Sequence, residues 1–399
     1  MTTTQNTPEH GQEITLNTNG SLNVPNAPII PYIVGDGIGI DITPVMLKVV
    51  DAAVAKAYGG DKRIVWLKTY AGVSATEHFN DDIWLPDETV QAFKQYKVGI
   101  KGPLDAPIGS GLQSLSIQLR EQLKVKHSIF SFQCFDGLPK FINHQQQIDI
   151  EVFQGQPSLF SNKELNQQTD DESFTSTIAI NRSDVEQLLK KAIEHAVAQD
   201  KRSVALIHDG GNTADFTDAI CRWGYQLAKT EFDGKVINGG PWVSLINPKT
   251  GTEIIIKDIS VESMIAQLVL NPAEYQVLVA PFAYGPSLQS LLSTLSNTTG
   301  ITPACYLSDD AAVFEATHGT AQKYAGLNKV NPSALLLAAV LMLRHMGWHE
   351  AADNIVKGIR DAIRAKTVTY DLANKIADST MLTSSGFGDC IIEHMKITQ

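Results

Sequence analysis

Residues Val313–Pro332 read VFEATHGTAQKYAGLNKVNP, and the remaining segments take their meaning from this stretch. A His-Gly-Thr-Ala turn, a Lys-Tyr pair and a second glycine precede Asn331-Pro332, which runs directly into an apolar helix. Gly319 and Gly326 let the backbone approach a phosphate or ribose. The Thr320 hydroxyl and local N–H groups suit an anion, and Lys323 with Tyr324 suits a further phosphate. An ordinary glycine-containing loop before a helix has the same pattern, so the surrounding segments carry the decision.

The chain has 399 residues, 43% of them hydrophobic, enough for two or three packed units with a real core. Its formal net charge of -11 argues against recruitment by nucleic acid or an anionic membrane. Cys134, Cys221, Cys305 and Cys390 are far apart and form no C-x-x-C, a pattern of reduced, mostly buried thiols that predicts a cytoplasmic location. Residues 1–26 are polar, lack the basic start and apolar core of a secretory signal, and read as a flexible lead. The longest apolar run, Ala334–Leu343, falls short of the ~20 residues that span a bilayer and reads as a buried helix.

Along the chain, Pro28–Val34 is a β-type run, followed by a Gly35-Asp36-Gly37-Ile38-Gly39 turn. A helix follows for which Thr43 is the expected cap, with Pro44 in its first turn. The glycine spacing is not G-x-G-x-x-G, so a dinucleotide fingerprint is a weak reading here. Further helices are expected from Asp87, over Ser114–Leu123, from a Ser183 cap to about Gln199, over Thr217–Lys229 and over Val261–Leu270. Strands are expected at Val98–Ile100, Ile148–Phe153, Ser203–Ile207, Ile254–Ile256 and Val277–Ala280. This alternation predicts an α/β fold with a largely parallel sheet. The polar tract Gln154–Ser173 shows no core periodicity.

Taken in order, PYIVGDGIGIDITPVMLKVVDAAV, WLPDETV, IKGPL, GGPW, FEATHGTAQKYAG, KVNPSALLLAAVLMLRHMGW and KTVTYDL resemble the NADP-dependent isocitrate dehydrogenases of the bacterial homodimeric type, within the isocitrate/isopropylmalate dehydrogenase superfamily. The resemblance implies two α/β domains plus a short clasp, not a Rossmann domain. It places the large domain at 27–125 and 297–399, the small domain at 126–153 and 182–296, and a shortened clasp at 154–181. It also implies a cofactor site of Lys101, Leu104, His318, Gly319, Thr320, Ala321, Lys323, Tyr324, Val330, Asn331 and Tyr370, with Lys323 and Tyr324 selecting NADP over NAD. Asn374 stands where the family has a second phosphate-reading arginine, which weakens that cofactor site.

The same resemblance exposes departures. Oxidising and decarboxylating a tricarboxylate needs cations, a divalent metal and a proton donor–acceptor pair. No arginine lies between Arg120 and Arg182; the expected places hold Phe130, Gln133 or its neighbour, and Gln154. Arg120 survives as a substrate-binding remnant beside Ser114 and Ser116. At the two metal-binding aspartate positions stand Pro286 and Ser290, and Glu262 is the remaining carboxylate, which argues against Mg²⁺ or Mn²⁺. The catalytic tyrosine and lysine positions hold Ser161 and Asp209. From Tyr275 through Ser308 there is no Asp or Glu, and between Tyr96 and Tyr225 no tyrosine; neither statement depends on alignment register.

The leading expectation is therefore a pseudoenzyme that binds NADP(H) or a protein partner: a homodimer, a heteromer with an active paralogue, or a competitor for a regulatory kinase that recognises the Ser114 loop. For Ser114, a helix N-cap is the plainer expectation. The alternative is an active NADP-dependent isocitrate dehydrogenase, or a dehydrogenase for a less charged 2-hydroxy acid.

Overall fold

The computed structural model describes residues 10–18, 20–79, 82–105, 113–139, 148–156, 167–168, 174–175, 180–210, 214–237 and 239–396. The chain divides into two units, one of Met1–Val125, Phe135–Pro139 and Thr299–Gln399, the other of Lys126–Cys134 and Lys140–Thr298.

In the first unit the strands lie in the order Pro303–Leu307, Ala312–Ala316, Val98–Lys101, Ile29–Ile33, Val65–Thr69. The first pair is antiparallel and the rest parallel. Helix Gly39–Tyr58 buries Ile42, Val45, Met46, Val49, Val50, Ala53 and Val54, the stripe that a 3.6-residue period lays on one face. Helix Ser333–His345 carries the apolar run and is buried almost all round. Truncating one of its fully buried leucines, such as Leu335, to Ala would cost ~2–5 kcal/mol. Helix His349–Arg364 crosses Ser384–His394 closely: a Cβ on Gly358 would lie 2.6 Å from the Ile391 carbonyl oxygen.

The second unit orders its strands Lys235–Val236, Val243–Ile246, Glu253–Ser260, Ser203–His208, Val277–Ala280, Asp149–Gly155, His127–Gln133. The centre is parallel and both flanks are antiparallel. Helices Arg182–Ala198 and Ala214–Glu231 pack against it.

Several sequence expectations need correction. The first long helix begins at Gly39, not at a Thr43 cap. The Ile38 and Gly39 amides bond to the carbonyls of Thr320 and Asp36, and the Thr43 hydroxyl donates to the Val34 carbonyl at 2.7 Å. Asn181, not Ser183, caps Arg182–Ala198, its side chain accepting from the Ser183 amide. Ser114 occupies the N-cap place of Leu115–Gln122 but makes no side-chain cap bond. The sheets are mixed rather than largely parallel, because short turns such as Ser308–Ala311 and Asn247–Thr252 join successive strands as hairpins. Of the clasp segment, the ladder Gln167–Gln168 with Phe174–Thr175 is described, and Ser161 lies outside the described residues.

Among the described residues no helix is long and apolar enough to cross a membrane. No disulfide joins the four cysteines; Cys221 and Cys305 are buried, Cys134 and Cys390 partly so.

Candidate functional site

The cofactor residues named from the sequence all belong to the first unit, on the Lys101–Asp105 segment and the His318–Asn331 loop, which the glycine turn joins, and at the start of the short helix Tyr370–Ala373. Gly37 adopts a φ of 53°, and a Cβ there would sit 2.2 Å from the Thr320 carbonyl oxygen, so the turn and the His-Gly-Thr loop meet backbone to backbone. The Ile38 amide donates to that same oxygen at 2.8 Å. Asp36, buried, accepts from the amides of Val73 at 2.9 Å and Asp105 at 3.0 Å, which fixes the Lys101–Asp105 loop. Burial pushes its carboxyl above the usual range, against the pull of those two amides.

Within this frame the Thr320 hydroxyl donates to the Asp105 carboxylate at 2.5 Å, and the Gln322 amide reaches the same oxygen at 3.0 Å. An acidic side chain of the chain itself therefore engages the hydroxyl that the sequence suggested for an anion. Gly326 has φ 74°, as a tight turn requires, whereas Gly319 is in no such conformation and its Cβ would meet nothing.

Lys101 is almost fully buried and pairs with Glu315; its ammonium also donates to Ser116 Oγ at 2.9 Å and the Gly102 carbonyl at 3.3 Å. Arg120 reaches the other oxygen of Glu315 at 3.3 Å and lies 4.3 Å over the Tyr306 ring. Lys101 and Arg120 are thus held by a single carboxylate that sequence reasoning passed over, and Ser116 joins them through Lys101. An acidic residue at the end of a fully buried strand, Ala312–Ala316, was the available signal, since such a charge needs partners. Burial and Glu315 raise the Tyr306 phenol, so it stays protonated. His318 is lowered by burial, with the Lys101 charge adding to that; its Nδ1 lies 3.0 Å from the Gly319 carbonyl oxygen and its Nε2 is buried without a partner.

Beyond the loop, Asn331 bonds to Asp371 at 3.0 Å and accepts from the Ser333 amide at 2.9 Å, opening the buried helix. Val330 is buried and Leu104 half-buried. Tyr324 and Tyr370 face each other with ring centroids 5.9 Å apart. Burial and the neighbouring Tyr324 raise the Tyr370 phenol.

The second unit holds the remaining named positions. Asp209 is buried after the Ser203–His208 strand and accepts from the Thr217 hydroxyl at 3.1 Å. Gly210 follows it with φ 73°, and a Cβ there would lie 3.8 Å from Glu262 Oε2, so Glu262 faces this turn. Pro286 opens helix Gly285–Leu295 and Ser290 lies one turn on; both are exposed. Gln154, buried, accepts from the Gln289 amide at 2.7 Å, and its side chain covers Gly285, whose Cβ would lie 1.8 Å from Gln154 Oε1. Phe130 is buried and Gln133 half-buried on the His127–Gln133 strand. Among the described residues no group of three or more His, Cys, Asp or Glu side chains is placed to hold a metal ion.

The chain matches the family described as isocitrate/isopropylmalate dehydrogenase over residues 29–391. It is 44% identical to isocitrate dehydrogenase [NADP] 1 of Colwellia maris, over 97% of this chain and 98% of that protein. It is 43% identical to isocitrate dehydrogenase [NADP] of Pseudomonas aeruginosa, over 97% and 98%. Among solved structures it is similar to isocitrate dehydrogenase from Methylococcus capsulatus, with a TM-score of 0.74 and 25% identity, covering 92% of this chain and 99% of that one.

Proposed function

Because the chain belongs to the isocitrate/isopropylmalate dehydrogenase family, we propose that it binds NADP(H) and acts by binding rather than by turnover. What supports this reading is the donor set in the second unit: Glu262, Pro286 and Ser290 where metal ligands are expected, and Asp209 where a catalytic lysine is expected. Mg²⁺ and Mn²⁺ take hard oxygen ligands and are held by several carboxylates, so one glutamate does not fit them. Gln154 places a neutral amide, already bonded to Gln289, where a substrate arginine is expected. In the first unit the Gly37–Thr320 contact, the Tyr324–Tyr370 pair and Asn331 retain the frame of a nucleotide site. As to assembly, the proposal is a homodimer.

A second reading has its own support. Relatives named NADP isocitrate dehydrogenases match at 36–44% identity over 96–97% of the chain, and on that likeness the protein oxidises and decarboxylates isocitrate with NADP⁺. One assay separates the two: purified protein with NADP⁺, Mg²⁺ or Mn²⁺ and isocitrate, followed at 340 nm. No NADPH formation is expected. Turnover near the ~10 s⁻¹ of ordinary enzymes would overturn the binding role and establish the second reading.

A further inference from the structure

Two ammonium groups flank the tyrosine pair. Lys323 Nζ lies 5.0 Å from the Tyr324 ring centroid, and Lys329 Nζ lies 4.7 Å from that of Tyr370. The rings are inclined by 31°. Asn374 lies one helical turn beyond Tyr370, its amide donating to the Tyr370 carbonyl at 3.1 Å.

Lys329 is exposed, yet the backbone on both sides of it is fixed. The Asp41 carboxylate accepts from the amides of Gly326 at 2.8 Å and Asn328 at 3.1 Å. Asn328 in turn exchanges bonds with Ser385 at 2.8 and 2.9 Å, and the Val330 carbonyl accepts from the Ser384 hydroxyl at 2.5 Å. Among the described residues no carboxylate lies within ion-pair distance of Lys323 or Lys329. Two unpaired ammonium groups and the Tyr324 hydroxyl on an anchored loop, with the Tyr370 hydroxyl facing them from the start of helix Tyr370–Ala373, form a set of donors suited to a phosphate dianion, with little ordering left to do on binding.

On the reading that this site takes NADP(H), we infer that Lys329 supplies its second phosphate-recognising cation, standing in for the arginine that Asn374 replaces. A 2′-phosphate is then held between Lys323 and Lys329, against Tyr324 and Tyr370.

The test is titration calorimetry of the full chain with 2′,5′-ADP and with 5′-AMP, which differ by the 2′-phosphate alone. The native protein is expected to bind 2′,5′-ADP ~10-fold or more tightly than 5′-AMP. Lys329→Gln should lose that ~10-fold preference while holding 5′-AMP as before, and Lys323→Gln should do the same. Adding Asn374→Arg to Lys329→Gln should bring the preference back. If Lys329→Gln keeps the full preference while Lys323→Gln loses it, the assignment of Lys329 is wrong and the nucleotide site stands. If the native protein binds neither compound, or both equally, the NADP reading itself fails and the assignment falls with it.

Discussion

Replacing Glu315 by Gln should destabilise the protein more than any other single change in the first unit's polar interior. Lys101 and Glu315 are 1% and 5% exposed, and Glu315 also holds Arg120 at 3.3 Å. Breaking a buried pair by removing one partner costs ~3–5 kcal/mol, because the other charge is left in a low-dielectric surrounding. Glu315→Gln leaves Lys101 with neutral acceptors in place of a carboxylate, Ser116 Oγ and the Gly102 carbonyl among them, and leaves Arg120 over the Tyr306 face, so the upper end, ~5 kcal/mol, applies. Lys101→Met leaves Glu315 with Arg120, so its cost should sit near ~3 kcal/mol. The double change Lys101→Met/Glu315→Gln removes both charges from the interior, and its cost should fall below that of Glu315→Gln alone. Urea unfolding followed by circular dichroism measures all three, with the slope checked for constancy. A Glu315→Gln cost under ~1 kcal/mol, or single costs that simply add in the double variant, would show that the carboxylate is not what holds the two cations.

Two further outcomes follow from the same loops. Asp105→Asn removes the negative charge bonded to the Thr320 hydroxyl, next to the expected dinucleotide, and should tighten NADPH binding by up to ~10-fold in calorimetry; unchanged or weaker binding would mean that the carboxylate does not oppose the ligand. His318 is held below its ordinary value of 6.5 by burial, so the unfolded chain binds more protons than the folded one between the folded value and 6.5. Stability should therefore rise with pH through that window and be lost on acidification below 6.5, and His318→Gln should flatten this part of the profile in thermal melts at a series of pH values.

The fold was legible wherever a periodic apolar pattern met a turn. Helices Gly39–Tyr58 and Ser333–His345 and strand Val277–Ala280 stand close to where their patterns place them. Caps were less so: Thr43 and Ser183 are the residue types a helix start favours, but both helices begin earlier, one at Gly39 where the Ile38 and Gly39 amides bond to Thr320 and Asp36, the other at Arg182 where Asn181 accepts from the Ser183 amide. The site was legible as a set of motifs and obscure as a network. Nothing in the one-dimensional pattern ties Glu315 to Lys101 and Arg120, or Asp105 to Thr320, since these partners are brought together by the chain's two ends folding into one unit. Lys329 was hidden for a similar reason: its relation to Tyr370 depends on the loop that Asp41 and Ser385 anchor.

The proposed loss of turnover rests on charge. A tricarboxylate in water is stabilised by its hydration, and a protein that takes it up has to replace that hydration with cations or oriented donors. In the second unit the positions expected to supply them hold Gln154, Phe130 and Asp209: one amide already bonded, one aromatic ring and one acid. Even at an effective dielectric of 20, two unit charges of like sign 4 Å apart repel by ~4 kcal/mol, and no bound metal is provided for by these side chains to reverse the sign. The first unit is different in kind, since its exposed ammonium groups at Lys323 and Lys329 ask only for a phosphate. Binding of a nucleotide and failure to bind a tricarboxylate are thus compatible within one chain. Calorimetry with isocitrate and Mn²⁺ together tests this directly: heat of tight uptake by the native protein would mean that the missing cations are supplied from elsewhere, and the charge argument would fall.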